Sequence, residues 1–310
     1  MRRPQERAST IAEGDTMENG RLSQSRRRLS WAGGRIREKM GLILWTARLA
    51  SRNATRREPV VGSGDGPVVS LTSYGKRTRT CFLAIESIAD GDVKPSRLIL
   101  WLDDPTILSN LPRTLVRLQQ RGLEIRPCHD WGPHKKCYPA AAEGVSDGRH
   151  LVTADDDLLY PKHWLKDLQR GALETPDMIV CHRAMVVAFG DHGIAPYTTW
   201  KHCRTTEPSL RVYPLPGAGA AYPPALQEAL REAGTAFEES SPRNEDVWLH
   251  SLGVRYGITA RQITNVPLRE LAIPGTQASG LWMTHIRGGG TDEAISKTYS
   301  SEDVARLRDA

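Results

Sequence analysis

From residue 68 onward, short apolar runs alternate with longer stretches in which apolar side chains recur every three or four positions. The runs are Val68 to Leu71, Leu98 to Leu102, Leu123 to Ile125 and the stretch from Leu151, each of a length that suits a buried strand. Phe82, Ile85 and Ile88 share a helical face after the first run, and Leu108, Leu111, Leu115 and Leu118 share one after the second. A further helix is expected near Lys135 and Lys136, and Trp164, Leu165 and Leu168 mark the one after the fourth strand. Four successive strand–helix units imply right-handed crossovers and a mostly parallel sheet. Beyond Ile179 the alternation gives way to short strands (Met178 to Cys181, Met185 to Phe189) and an irregular polar segment to about Pro216. Pro242 and Asn244 then fit a helix start, with Trp248, Leu249 and Leu252 turned inward. The fold class predicted is a single α/β domain whose mostly parallel central sheet is flanked by helices, preceded by a separate arm.

That arm, residues 1–66, is basic. Residues 1–58 hold 14 Lys/Arg and 6 Asp/Glu, a net of +8, which leaves 28 and 30, a net of −2, for the rest of a chain whose total is +6. The folded part is therefore near neutral and carries no basic stripe, so a nucleic-acid partner is not expected. Residues 1 to 30, rich in Arg, Ser, Glu and Gln, have the composition of disordered chain. Between 36 and 52, Ile36, Met40, Ile43, Leu44 and Ala47 fall on one helical face, ringed by Arg35, Lys39, Arg48 and Arg52. Two readings stand: a peripheral helix on an anionic membrane surface, anchored by Trp31 and Trp45, or a helix packed on the domain. Gly62 to Pro67 is a linker by composition. The domain is expected over 67–300, with 301–310 as a tail. No apolar run approaches the ~20 residues of a membrane span, and the polar, Arg-rich start lacks the core of a cleavable signal. Five cysteines, odd in number and without a CxxC pair, favour free thiols in a reducing compartment. The location expected is cytoplasmic, at the inner face of the membrane if the arm binds there.

In parallel sheets ligands gather at the carboxyl ends of the strands. Three of those ends carry Thr72-Ser73-Tyr74, Asp103-Asp104 and Asp155-Asp156-Asp157. Adjacent carboxylates repel, so a folded chain tolerates such a triplet where something positive neutralises it. On extended chain Asp155 and Asp157 would face one way and Asp156 the other, presenting two oxygens to a hard divalent cation with positions left for phosphate. A solvated acidic turn is the plain alternative. No G-x-G-x-x-G follows the first strand and no P-loop lysine is present. Gly217 and Gly219, in the run from Leu215 to Pro224, would let backbone approach a ligand closely, or simply form a tight loop. Glu245-Asp246 reads either as a catalytic pair or as ordinary acidic enrichment in a first helical turn.

Taken together these pieces resemble the GT-A fold glycosyltransferases, bacterial family-2-like enzymes that use nucleotide sugars. Asp155-Asp156-Asp157 resembles the DxD motif, LPGAGAAYPP the loop under the donor sugar, and Asn244-Glu245-Asp246 the xED motif. His285 in LWMTHIRGGG is similar to the family's C-terminal metal-binding histidine, although a lone histidine also suits a structural role. The resemblance covers about residues 67–300 and implies a Rossmann-like GT-A domain. It implies that Asp157, Asp155 and His285 hold Mn²⁺ or Mg²⁺, with Asp155 alternatively on the ribose. Thr72, Ser73, Tyr74, Asp103, Asp155 and Asp156 would then line the nucleoside pocket, and Lys135 or Lys136 would reach a phosphate unless they are a solvated helix start. Gly217, Gly219 and Glu245 would surround the sugar, and Asp246 would be the base of an inverting transfer. The partners implied are a nucleotide-sugar donor, a UDP-sugar first, and a glycan or lipid-linked acceptor in cell-envelope or polysaccharide synthesis. A metal-dependent hydrolase, a glycosidase using two carboxylates, and a non-catalytic carbohydrate-binding protein of the same fold are the competing readings.

Overall fold

The structure is a computed structural model that describes residues 37, 39–64, 66–191, 193–276 and 289–310. It divides into two units, Met1–Arg48 and Leu49–Ala310. In the first, the described residues are helical, and Met40, Ile43 and Leu44 are exposed. Ile36 and Trp31 lie outside the described residues. No described helix is long and apolar enough to cross a membrane.

The second unit opens with helical residues 49–55. Leu49 is fully buried, and the Asn53 amide donates to Glu86 Oε1 at 3.2 Å and to the Thr114 carbonyl at 3.1 Å. The strands are β1 (Val68–Thr72), β2 (Arg97–Leu102), β3 (Leu123–Pro127), β4 (Leu151–Ala154), β5 (Leu158–Leu159), β6 (Ile179–Cys181), β7 (Ala184–Val186), β8 (Phe189–Gly190), β9 (Gly193–Ile194), β10 (Lys201–His202), β11 (Val212–Pro214), β12 (Ala220–Tyr222), β13 (Ala260–Gln262) and β14 (Leu271–Ala272). Seven of them make the central sheet, in the order β13-β6-β12-β4-β1-β2-β3. Its neighbours run parallel except β12, which is antiparallel to both β4 and β6. Strands β1 and β4 are almost wholly buried, as unbroken apolar runs covered on both faces should be. The expected single α/β domain with a mostly parallel sheet is what is found. A smaller sheet, β10-β7-β11, and the pair β14-β5 stand beside it.

Two elements depart from the periodicity. The helix expected through Leu108, Leu111, Leu115 and Leu118 is two, Pro105–Ser109 and Arg113–Gln119. Pro112 disfavours helical backbone at the residue before it, and the chain turns there. The polar Asp104 caps the first of them, accepting from Thr106 N at 2.8 Å, which is a structural use for one carboxylate of the Asp103-Asp104 pair. Residues 301–310, expected as a tail, form the helix Ser301–Arg308 behind a capping box of Ser300 and Asp303. Leu307 is fully buried, and Arg255 Nε pairs with Asp303 Oδ2 at 3.1 Å, which holds this helix on Glu245–Arg255. All five cysteines are free thiols, four buried and Cys128 half-buried.

Candidate active site

A cavity of about 1060 Å³ opens at the carboxyl ends of β1, β2 and β4. It is lined by Thr72, Tyr74, Asp103, Lys135, Lys136, Asp155, Asp156, Asp157, Gly217, Glu245 and Asp246, so most of the residues singled out from sequence reach one space. Strand β4 stops at Ala154, and the three aspartates occupy the turn before β5. Strand alternation therefore does not set their directions. Asp156 is 5% exposed and turned toward β1, where Ser73 Oγ donates to its Oδ2 at 2.5 Å. Ser73 itself is buried and holds a carboxylate instead of lining the cavity, which corrects its expected place against the nucleoside. Burial pushes Asp156 up to about 6, against the pull of Arg77 and Ser73.

The two lysines are not a solvated helix start. Lys135 and Lys136 are 3% and 7% exposed, at the end of a 3₁₀ turn, Gly132–Lys136. Lys135 Nζ bonds Asp103 Oδ1 at 2.5 Å and Asp130 Oδ1 at 2.9 Å. Lys136 Nζ lies 2.5 Å from Asp155 Oδ1 and 2.5 Å from Glu245 Oε1, and so joins the tip of β4 to the helix Glu245–Arg255. Burial works against its charge, but the two carboxylates outweigh that and hold Lys136 well above the ordinary lysine range. Glu245 is pushed up to about 8 by burial, with Lys136 opposing and Asp155 and Asp246 adding to the rise. Its Oε2 is buried with no hydrogen-bond partner among the described residues, an acceptor facing the cavity with nothing to accept from.

Asp246, one residue on, is also raised by burial. The Tyr213 hydroxyl and the Val247 amide, 3.1 Å from Oδ1, oppose that rise by favouring the charged form. Burial outweighs both, and the balance for Asp246 lies with the higher value. Tyr213 is fully buried, and its ring packs on His250, with centroids 5.0 Å apart. His250 is fixed in turn by Tyr299 Oη at 2.6 Å and the Leu210 carbonyl at 2.8 Å.

Of the two glycines singled out from the run, one faces the cavity and the other does not. Gly217 lines the cavity, and a Cβ there would lie 2.6 Å from Asp155 Oδ2. Gly219 does not line it; with φ +107° and Trp164 Nε1 2.3 Å from where its Cβ would be, it makes room for an indole. That indole donates to the Ala218 carbonyl at 2.8 Å. Tyr160 completes the floor, its hydroxyl donating to the Gly217 carbonyl at 3.0 Å and accepting from the Asp155 amide at 2.6 Å.

Several lining groups were not foreseen. Arg77, in the turn Gly75–Arg79 after β1, pairs with Asp156 Oδ1 at 3.2 Å and more closely with Asp157. Its signal was available: a cation a few residues past a strand tip that rule places at a ligand. Glu270, just before β14, is raised by burial and by the charges of Asp155 and Asp157, while Arg183 at 3.0 Å opposes. Its neighbours in sequence carry no periodicity or motif. Tyr197 and His202, from the flank built by the small sheet, face the same space. His285 lies outside the described residues.

No family model matches the chain, and no curated protein matches it in sequence. Solved structures do align with it. A mannosyltransferase from Pyrobaculum calidifontis, in complex with GDP-Man and Mn²⁺, is 15% identical with a TM-score of 0.48 over 86% of this chain and 75% of that one. The S. aureus protein TarS, residues 1–349, is 14% identical with a TM-score of 0.45 over 78% and 70%. A CMP-2-keto-3-deoxy-manno-octonic acid synthetase complexed with CTP is 12% identical with a TM-score of 0.40 over 74% and 99%. These likenesses are too distant to assign an activity, which has to be argued from the cavity itself.

The charges of that cavity bear on a cation. Nine carboxylates line it against five Lys and Arg side chains. A nucleoside diphosphate entering an acidic excess of this size would be repelled unless protons or a cation offset it. Among the described residues no three His, Cys, Asp or Glu side chains converge to hold a metal by themselves. Asp155 and Asp157 are what remains, with the charge of Asp155 close enough to raise the affinity of Asp157 for protons. One or two carboxylates completed by phosphate oxygens and water is the usual setting of Mg²⁺ at nucleotide sites, so the donor set fits a cation that shares a diphosphate.

Proposed function

We propose that the chain is an inverting glycosyltransferase that uses a nucleotide-sugar donor and a divalent cation. The observation that carries this reading is the placement of Asp157 and Asp246 on one cavity, with Lys136 tying the two motifs together. The diphosphate lies at the tip of β4, near Arg77 and Lys135. The nucleoside runs toward Thr72, Tyr74 and Asp103, and Glu245 Oε2 accepts from a sugar hydroxyl. Asp246 takes the proton of the acceptor hydroxyl as that oxygen bonds to the anomeric carbon. The bond from that carbon to the diphosphate breaks, and its electron pair leaves with the nucleoside diphosphate. Attack from the side of Asp246, opposite the leaving group, inverts the configuration. A divalent cation, when bound by Asp155 and Asp157, supplies the Lewis acid that stabilises the departing charge.

The test is thermal stabilisation of the full chain by UDP, GDP, CDP and dTDP, and by their sugars, with and without Mn²⁺ or Mg²⁺. One nucleotide at a hundred times its Kd should stabilise by about 2.7 kcal/mol when the cation is present. Asp157→Asn should abolish that shift. A chain that no nucleotide stabilises with either cation is not this enzyme.

Tyr213 offers a second check, specific to the base. The Tyr213 hydroxyl is buried with no formed hydrogen bond among the described residues, yet it favours the charged form of Asp246, so Tyr213→Phe should raise the Asp246 pKa further. The acid limb of the kcat profile should then move to higher pH, with donor KM unchanged. An unmoved limb would mean that Tyr213 does not touch the base.

A further inference from the structure

The Arg77 guanidinium meets Asp156 and Asp157, and its Nη1 donates to the Tyr74 hydroxyl at 3.4 Å, while its Nε is buried without a hydrogen-bond partner among the described residues. It lines the cavity, with a side chain 14% exposed, on a 3₁₀ turn that follows β1 directly. Asp157 therefore has two claimants. A cation bound to a carboxylate oxygen at ~2.0–2.6 Å cannot share it comfortably with a guanidinium already in contact.

We propose that Arg77 is a diphosphate-binding residue that serves as the counter-ion of Asp156 and Asp157 until the donor arrives, so that cation and nucleotide bind together. This rests on the transferase reading above. The planar guanidinium fork matches two phosphate oxygens as well as it matches two carboxylate oxygens, so an entering diphosphate offers it an equivalent partner. Its unpartnered Nε supplies a further donor. When Arg77 moves across, Asp156 stays compensated, because Ser73 still donates to its Oδ2 at 2.5 Å. Asp157 gives up its contact with Arg77 and turns an oxygen to the diphosphate-bound metal. Lys136 does not make this exchange: it is buried between Asp155 and Glu245, and its departure would strand both. The coupling is reciprocal by linkage, with nucleotide raising metal affinity by the same factor as metal raises nucleotide affinity.

The experiment is titration of Mn²⁺ into the full chain, followed by paramagnetic resonance of free Mn²⁺ and by calorimetry, with and without the stabilising nucleoside diphosphate. The wild type should bind Mn²⁺ at least tenfold more tightly with nucleotide present. Arg77→Gln should bind Mn²⁺ alone at least tenfold more tightly than wild type, bind nucleotide more weakly, and lose most of the coupling. Adding Asp157→Asn to Arg77→Gln should remove the metal affinity gained. Arg77→Lys keeps the charge and loses the fork: Mn²⁺ alone should bind as weakly as to wild type, and nucleotide should bind less well. A folded Arg77→Gln protein with wild-type affinity for Mn²⁺ alone overturns the proposal. If Arg77→Gln does not fold, Arg77→Lys decides, and unchanged nucleotide affinity there overturns it. Failure of the wild type to bind any nucleoside diphosphate with Mn²⁺ would instead remove the transferase reading on which it stands.

Discussion

Asp246→Asn is expected to lower kcat by about 10²–10⁴ while leaving donor binding intact. The amide keeps the shape of the carboxylate and can still accept from the Val247 amide, 3.1 Å away in the native chain, so the helix Glu245–Arg255 should start as before. What it cannot do is take a proton. Neighbouring Glu245 is held by Lys136, 2.5 Å from its Oε1, and is not placed to substitute. The pH profile gives an independent reading. Burial raises Asp246, so native turnover should climb with pH through that elevated pKa as the carboxylate ionises, and the variant should lack this limb. Nucleotide-induced stabilisation should be the same in both proteins. Full turnover in Asp246→Asn would remove it as the base and leave the helix start with only its acidic enrichment to explain.

The second large effect is on folding. Lys136→Met should destabilise the domain by about 3–5 kcal/mol, because two carboxylates in contact with one buried ammonium would be left uncompensated. Methionine fills a similar volume, so little of the loss would come from a void. Glu245 would take up a proton at higher pH than in the native chain, since Lys136 lowers its pKa. The deficit should therefore be largest at high pH and shrink as pH falls and Glu245 becomes neutral. Adding Glu245→Gln should recover part of it by removing one of the stranded charges. Urea denaturation at several pH values measures all of this. A loss below about 1 kcal/mol at neutral pH would show that Lys136 is not the counter-ion of this pair.

The first half of the sheet was legible because its strands are long, apolar and separated by helices with clear faces. Val68 to Leu71 and Leu98 to Leu102 could hardly be anything else. The second half was not. Strand β12 is only Ala220, Ala221 and Tyr222, two small residues with little preference for extended chain and one aromatic, read from sequence as part of a glycine loop. What makes it a strand is pairing with β4 on one side and β6 on the other, a property of the fold and not of the segment. The break before Pro112 was readable and was overridden by four well-spaced leucines. In the site, charge and spacing pointed to Asp155, Asp157 and Asp246, and the fold brings all three to one cavity. They did not point to Glu270 or Tyr213, whose segments have no pattern and whose position depends on the small sheet. Ser73 and Gly219 were placed near the right atoms for the wrong reason: one steadies an aspartate and the other clears an indole.

The place of β12 has a consequence for how the protein is made. On the ribosome, β1 to β4 emerge first and can pair among themselves, yet the β4 edge that faces away from β1 has no partner until Tyr222 has been synthesised. The β6 edge waits for the same three residues. Through that interval the nascent chain carries an open edge on β4 and both edges of β6, whose far side waits for β13, beside an incomplete acidic tip, and a chain released before residue 220 would keep them as sticky seams for its neighbours.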